Sequence, residues 1–342
     1  MFGRDNTVVL TVGDIGETIL LERLLKRSRE SVLLIPSDSA LNLHIGAGDD
    51  AAGWRVSNFP EVMTTDAMVE GVHFDRATSS WSDVGWKLWV SNVSDIVAMA
   101  GIPTIGVVNL GLPRDFLVQA VDEIYDGLIE ACTFCKTAIV GGDVVSSPNV
   151  FLSVTLIGIC ASVPLSRSSA QTGDLLALTG PVGASAGGLR VLQSQLLHPN
   201  ASALSVLCEG HRRPQLRLQS GSDLSKAGIT CAMDVSDGLI GDLRKISHAS
   251  GLGIRLHADQ VPFPPELSII FGDEALGLAL TGGEDYQIVF AGPPDFVRKA
   301  ISYIPEAAII GSVTDEPAGT LEILDKKGEE LTLDGSSWEH WR

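Results

Sequence analysis

Thr64, Thr65 and Asp66 stand side by side within V-M-T-T-D-A-M-V-E-G-V-H-F, residues Val62–Phe74. The apolar lead of Val62 and Met63 predicts a strand ending in two hydroxyls and a carboxylate, with His73 beyond Gly71. Such an oxygen-rich set suits a hard cation like Mg²⁺, which is held by a few carboxylates together with phosphate oxygens and water. Taken alone, the stretch reads more simply as a polar strand end and a turn. Similar carboxylate turns elsewhere move the reading towards chemistry. Asp49 and Asp50 are adjacent after a glycine turn, which is unfavourable unless solvent or a cation relieves it. Asp143 follows Gly141 and Gly142, glycines that allow close backbone approach to a ligand at a strand's end. Asp234-Val-Ser-Asp237-Gly-Leu239 opens a helix that Asp237 is placed to cap, whereas Asp234 has no such local duty. Leu280-Thr-Gly-Gly-Glu284-Asp285-Tyr286 is the last of these turns.

The elements that would carry these turns alternate between strands and helices. Amphipathic helices are predicted over Gly16–Arg29, with Leu20, Leu21, Leu24 and Leu25 on one side, and over Phe116–Cys132. The clearest helix is Ser82–Ala100, with Ser82 as N-cap and Gly101 and Pro103 as the stop. Trp86, Val90, Val93, Val97 and Ala100 form its apolar stripe, and Asp95 falls opposite, facing either solvent or a cleft. Strands are expected over Ile105–Leu110, Ala138–Val140 and Phe151–Cys160. The small-polar run Val163–Gly173 reads as the boundary between domains spanning 1–163 and 164–342. Beyond it come strands Leu175–Thr179, Thr230–Val235, Gln287–Ala291 and Ala308–Ser312, a helix Leu239–Ala249, and a hairpin turning at Asp325–Gly328. The glycine-rich turn Gly180–Leu189 lacks the G-K-[ST] of a phosphate loop and reads as a tight strand-to-helix connection. The periodicity therefore supports an α/β chain of two domains.

Composition narrows the partners. At 342 residues and 45% hydrophobic, the chain can bury a sizeable core. Its net charge of −18 argues against a general nucleic-acid surface, which needs basic patches, but not against a nucleotide carried with Mg²⁺. The N-terminal residues lack a signal-peptide layout, and the uncharged stretches Ile96–Pro113 and Val144–Ser166 are broken by Pro, Gly and polar residues. A soluble cytoplasmic protein is expected. Cys132-Thr-Phe-Cys135 has no second pair with which to build a zinc site.

Taken together, G-D-D-A-A, T-T-D-x-x-V-E-G-V-H-F, W-K-x-x-x-x-N-V-S-D, G-G-D, S-R-S-x-A-x-x-G-D, D-V-S-D-G-L and G-G-E-D-Y resemble the thiamine-monophosphate kinases. That group lies within a wider family that includes aminoimidazole ribonucleotide synthetase and selenophosphate synthetase. The resemblance implies transfer of the ATP γ-phosphoryl group to thiamine monophosphate, giving thiamine diphosphate, with several Mg²⁺ ions. It implies metal binding by Asp50 (or its neighbour Asp49), Thr64, Thr65, Asp66, Asp95, Asp143, Asp234 and Asp237. Of these, Asp66, Asp95, Asp143 and Asp237 would serve the catalytic step. ATP contacts would come from Gly142, Asp143, Arg167 and Ser236, and substrate contacts from His73, Glu284 and Trp338 near the terminal Trp338-Glu-His-Trp341. The implied fold is two α/β domains flanking an active cleft, the first pairing with a second copy through its sheet to make a homodimer. The rivals are another ATP-dependent enzyme of the wider family, such as selenophosphate synthetase, or a catalytically silent nucleotide- or metal-binding protein. Selenophosphate synthetases carry a lysine and a cysteine or selenocysteine in an N-terminal glycine loop, and Met1–Gly16 has neither.

Overall fold

The computed structural model describes residues 10–32, 42–45, 53–55 and 58–331. Asp49, Asp50, Trp338 and Trp341 lie outside the described residues. The elements run α1 (Val12–Val32), β1 (Asn42–Ile45), β2 (Gly53–Arg55), β3 (Glu61–Val69), α2 (Trp81–Ala98), β4 (Gly101–Leu112), α3 (Val118–Cys135), β5 (Ala138–Ser146) and β6 (Phe151–Cys160). They continue with β7 (Leu175–Leu178), α4 (Ala184–Ser194), α5 (Ala201–Arg212), α6 (Ser220–Ala227), β8 (Cys231–Asp234), α7 (Leu239–Ser250), β9 (Leu252–His257), α8 (Pro265–Phe271), α9 (Ala275–Thr281), β10 (Ile288–Gly292), α10 (Pro294–Tyr303), β11 (Ala308–Pro317) and β12 (Leu321–Leu324). The class is mixed α/β, with a four-stranded sheet ordered β3-β6-β4-β5 and a six-stranded sheet ordered β12-β9-β11-β7-β10-β8.

Two compact units emerge: Met1–Ser57, Thr65–Trp89 and Thr104–Leu156 form one, and Asn58–Thr64, Val90–Pro103 and Ile157–Arg342 the other. The division runs through α2 and through strands β3, β4 and β6, so Thr64 and Asp95 belong to the second unit, and Thr65 and Asp66 to the first.

In the first unit, α1 buries Leu20 and Leu24, and its Arg23 and Arg27 form ion pairs with Asp122 and Asp126 of α3. Gly16, at φ 74 and ψ 169, interrupts α1 near its start, a conformation that glycine adopts without strain. Gly85 of α2 and Gly127 of α3 lie where the two helices touch. A Cβ at Gly85 would stand 2.1 Å from the Ile124 carbonyl oxygen, and one at Gly127 1.9 Å from that of Ser82. Strands β4 and β5 are parallel, with Asn109 opposite Asp143.

The second unit packs Leu176, Leu178, Leu243, Ile246, Leu256, Val289 and Ile310 into one core. Its strands are antiparallel neighbours except for β12, which lies parallel to β9. A turn follows β12, where Asp325 and Glu329 are hydrogen-bonded and Leu324 bridges Glu330, so the chain reverses at the expected place.

Several local expectations are corrected. Thr64, Thr65 and Asp66 lie in the middle of β3, not at its end. Gly141, Gly142 and Asp143 lie within β5, which continues to Ser146. The cap of α2 is Ser80 rather than Ser82: Ser80 Oγ accepts the Asp83 N–H at 3.1 Å, while Asp83 accepts the Ser80 N–H at 3.1 Å. That is a reciprocal capping box. Helix α2 is also buried nearly all round, with even Lys87, Ser91, Asn92 and Ser94 enclosed, so a single apolar stripe does not describe it.

Candidate functional site

In the first unit, successive side chains of β3 alternate in exposure, which sets Thr65 apart from Asp66. Thr65 is exposed and Asp66 half-buried. The Thr65 hydroxyl donates to the Val154 carbonyl at 2.9 Å and accepts from Thr155 at 3.1 Å, both on β6. After β3, the chain makes a tight turn in which Gly71 donates to the Phe74 carbonyl and His73 to that of Val69. Gly71 takes φ 79 there. His73 Nδ1 accepts the Val69 N–H at 3.1 Å, so the neutral ring carries its hydrogen on the other nitrogen. On β5, Asp143 is exposed, and Gly142 is required for packing: a Cβ there would lie 2.0 Å from the Val108 carbonyl oxygen. The glycine therefore lets β5 lie against β4. Cys132 and Cys135 are buried neutral thiols. Burial pushes the Cys135 thiol up to about 12 and holds the Cys132 thiol well above its ordinary value.

In the second unit, adjacent residues of α2 meet two of the expected side chains. Thr64 donates to Asp95 at 2.6 Å, and Ser94 to the buried Asp234 at 2.7 Å. Asp234 ends β8, and the loop after it is organised by a carboxylate that the sequence reading passed over. Asp242, fully buried in the first turn of α7, accepts the N–H groups of Ser236 at 3.0 Å and Asp237 at 3.1 Å. Its burial pushes the carboxyl above the usual range against the pull of Lys245. Asp237 does not cap α7, whose N-cap is Gly238, with no side-chain cap. Asp237 instead accepts from Lys245, which also bonds Asp242 at 2.7 Å. Arg167 is exposed, and its carbonyl accepts from Ser250 at 2.9 Å.

The G-G-E-D-Y loop lies directly against D-V-S-D-G. Glu284 N–H donates to the Ser236 carbonyl at 2.8 Å, and Tyr286 N–H to that of Val235 at 3.0 Å. Glycines permit this contact. A Cβ at Gly283 would stand 2.3 Å from the Ser236 oxygen, and one at Gly238 2.4 Å from that of Thr281. Asp285 turns the other way, accepting the N–H groups of Gly183 at 2.6 Å and Ser185 at 3.0 Å. The N-terminus of α4 is thus filled by the chain's own carboxylate, which accounts for the glycine-rich turn without a phosphate. Burial raises the Asp285 carboxyl to about 7, opposed by those two N–H groups.

The structure thus groups Thr64 with Asp95, and Ser236, Asp237 and Glu284 in abutting loops. It adds Ser94, Asp242, Lys245 and Asp285 to the residues that shape them. Asp242 was legible as a first-turn carboxylate three residues before a lysine. Ser94 lies inside the N-V-S-D motif, but nothing in that spacing marks it as the partner of Asp234.

The donor set is one of hard oxygens. Among the described residues no three His, Cys, Asp or Glu side chains close on one point to make a metal cage. Asp95 and Asp234 each share a hydroxyl instead. That arrangement fits Mg²⁺, which keeps several waters and takes ligands from substrate phosphates.

Residues 48–160 match the family model for the AIR synthase related protein N-terminal domain, and residues 171–324 that for its C-terminal domain. A thiamine-monophosphate kinase of Escherichia coli (strain K12) is 34% identical over 341 residues, covering 95% of this chain and 98% of its own. The crystal structure of a thiamine-monophosphate kinase from Stenotrophomonas maltophilia K279a superposes with a TM-score of 0.78 at 31% identity, covering 90% of this chain and 96% of that one. The structure of AaThiL complexed with AMPPCP and TMP superposes at 0.75 with 27% identity, covering 98% and 100%.

Proposed function

This chain belongs to the thiamine-monophosphate kinases of the AIR synthase-related family, and on that premise we propose how its residues divide the reaction. The enzyme moves the γ-phosphoryl group of ATP onto thiamine monophosphate, giving thiamine diphosphate and ADP. The observation that carries this reading is similarity to a thiamine-monophosphate kinase along nearly the whole of both chains. The AMPPCP and TMP held by the AaThiL complex support the two substrates.

Asp50 (or Asp49), Thr64, Thr65, Asp66, Asp95, Asp143, Asp234 and Asp237 are assigned to Mg²⁺, which neutralises charge as two polyanions approach. Asp66, Asp95, Asp143 and Asp237 act closest to the transfer. Gly142, Asp143, Arg167 and Ser236 hold ATP, Arg167 offering phosphate a planar fork of donors. His73, Glu284 and Trp338 hold thiamine monophosphate. The acceptor is a phosphate already ionised at neutral pH, so no side chain is needed as a general base. What the protein supplies is position and field.

Residues 1–163 are assigned to metal, ATP and dimerisation, and 164–342 to completing the site. A homodimer formed through the first sheet is supported by β3, its edge strand, on which Met63 is 72% exposed. No described helix is long and apolar enough to cross a membrane.

The test is an ATP-dependent assay offering thiamine monophosphate and free thiamine in parallel. Thiamine diphosphate should form from the monophosphate alone. Equal turnover of free thiamine would overturn the substrate assignment.

A further inference from the structure

Glu284 is held in an unusual place. It sits at φ 63, a left-handed conformation that a residue with a side chain rarely adopts. The conformation persists because both neighbours are tied down. The Glu284 backbone is bonded to Ser236, and Asp285 is buried against the first turn of α4. The result is a carboxylate at the boundary between interior and solvent. The Glu284 side chain is 29% exposed, but its Oε2 lies 3.5 Å from Nδ1 of His211, whose side chain is 5% exposed.

His211 comes from the last turn of α5. Its Nδ1 lies 3.1 Å from Ser185 Oγ as well. A carboxylate only accepts, so this arrangement calls for a hydrogen on Nδ1, shared with the hydroxyl oxygen of Ser185. Ser185 is fixed at both ends, by its N–H on Asp285 and its Oγ on the histidine. Gly188 lets α5 come this close. A Cβ at Gly188 would stand 2.0 Å from the Leu207 carbonyl oxygen and 2.9 Å from His211 Cβ. The histidine behind Glu284 is therefore set in a close α4–α5 contact, while the Glu284 side chain itself keeps partial exposure.

We propose that His211, backed by Ser185, is a positioning residue that fixes the Glu284 carboxylate for binding thiamine monophosphate. This rests on the reading of Glu284 as a substrate contact. His211 touches no substrate and acts by removing rotational freedom from a long side chain that would otherwise be ordered at the moment of binding.

The test compares H211L, H211N, E284Q and the double variant H211L/E284Q in steady-state kinetics with each substrate varied in turn. H211L fills the buried site without a donor and should raise the KM for thiamine monophosphate about tenfold, as for a lost hydrogen bond to a charged group. The KM for ATP and kcat should each move by less than about threefold, because the contact is made before the reaction and is not strengthened in it. H211N, whose amide nitrogen occupies the Nδ1 position, should recover most of the loss. In the E284Q background, H211L should add little, the signature of two residues acting through one contact. If H211L melts below the assay temperature, S185A in place of H211L carries the comparison, with an expected rise of a few-fold. Should E284Q leave the substrate KM unchanged, the reading of Glu284 fails and the proposal falls with it. Should E284Q raise KM while H211L does not, or should the two effects multiply, His211 is not the positioner and Glu284 keeps its role.

Discussion

At the scale of single residues, the chemistry turns on where carboxylates are held and what holds them. Asp66→Asn removes a charge without changing volume, and activity should fall at least about a hundredfold, as when one preorganised electrostatic contact is lost. The melting temperature should stay within a few degrees, and near-normal turnover would take Asp66 out of the catalytic set. Asp285 is the opposite case, a carboxylate whose work is architectural. Its carboxyl is raised to about 7 in the folded protein, so the folded state favours the neutral acid relative to the unfolded chain. Its contribution to stability is greatest below the unfolded value near 4 and is lost as pH rises towards 7. The slope is at most about 1.4 kcal/mol for each pH unit. Asp285→Asn should flatten that slope, so urea midpoints measured at pH 5 and pH 8 should differ less in the variant than in the parent. An unchanged slope would mean that Asp285 is ionised throughout. The residues most legible in the sequence were those in motifs, such as Asp95 and Asp234. His211 is not, because a lone histidine inside a helix has no local pattern, and Ser94, though inside N-V-S-D, carries no sign of the residue it meets. Their partners, Asp234 and Glu284, lie far away along the chain.

Secondary structure was read well where periodicity and punctuation agreed and less well where a tertiary neighbour took over. Strand β6 was expected over the residues it occupies, Phe151–Cys160. Strand β5 runs past Gly141 and Gly142, where the sequence predicts its end because glycines usually mark one. Here, Gly142 sits within the strand because the Val108 carbonyl leaves no room for a Cβ. The cap of α2 lies two residues before the predicted Ser82 because Ser79, Ser80 and Ser82 are interchangeable in propensity, and only the partner Asp83 distinguishes them. The helix pair α4–α5 offers a test at this scale. Gly188→Ala would set a methyl 2.0 Å from the Leu207 carbonyl oxygen, backbone that cannot step aside. It should destabilise the protein by about 1–3 kcal/mol, the usual range for overpacking. Thermal or urea unfolding would measure it, and an unchanged midpoint would show that α4 and α5 separate freely.

For the molecule as a whole, the acidic balance and a sequence without the G-K-[ST] of a phosphate loop lead us to propose that nucleotide binding depends on metal. Mg²⁺ with a non-hydrolysable ATP analogue should raise the melting temperature more than either alone, since binding only to the native state stabilises it by mass action. Equal stabilisation by the metal-free nucleotide would refute that dependence. The mixed α/β class followed from alternating strand and helix patterns, but the sheet orders did not. Strand order depends on pairings between residues distant in the chain, which local periodicity does not encode. The proposed dimer is tested at the same scale: Met63→Glu on β3 should shift sedimentation towards the monomer, because a charge would have to be buried at an interface formed there. The loops D-V-S-D-G and G-G-E-D-Y, pressed backbone to backbone through Gly238 and Gly283, have one more consequence. No side chain between them can absorb a displacement, so a shift of one carries the other. If ATP rests on Ser236 and thiamine monophosphate on Glu284, as proposed, whatever factor one ligand gains in affinity from the other must be returned in full. Calorimetric titrations run in both orders should therefore close to the same coupling, and widening the seam should erase it in both directions at once.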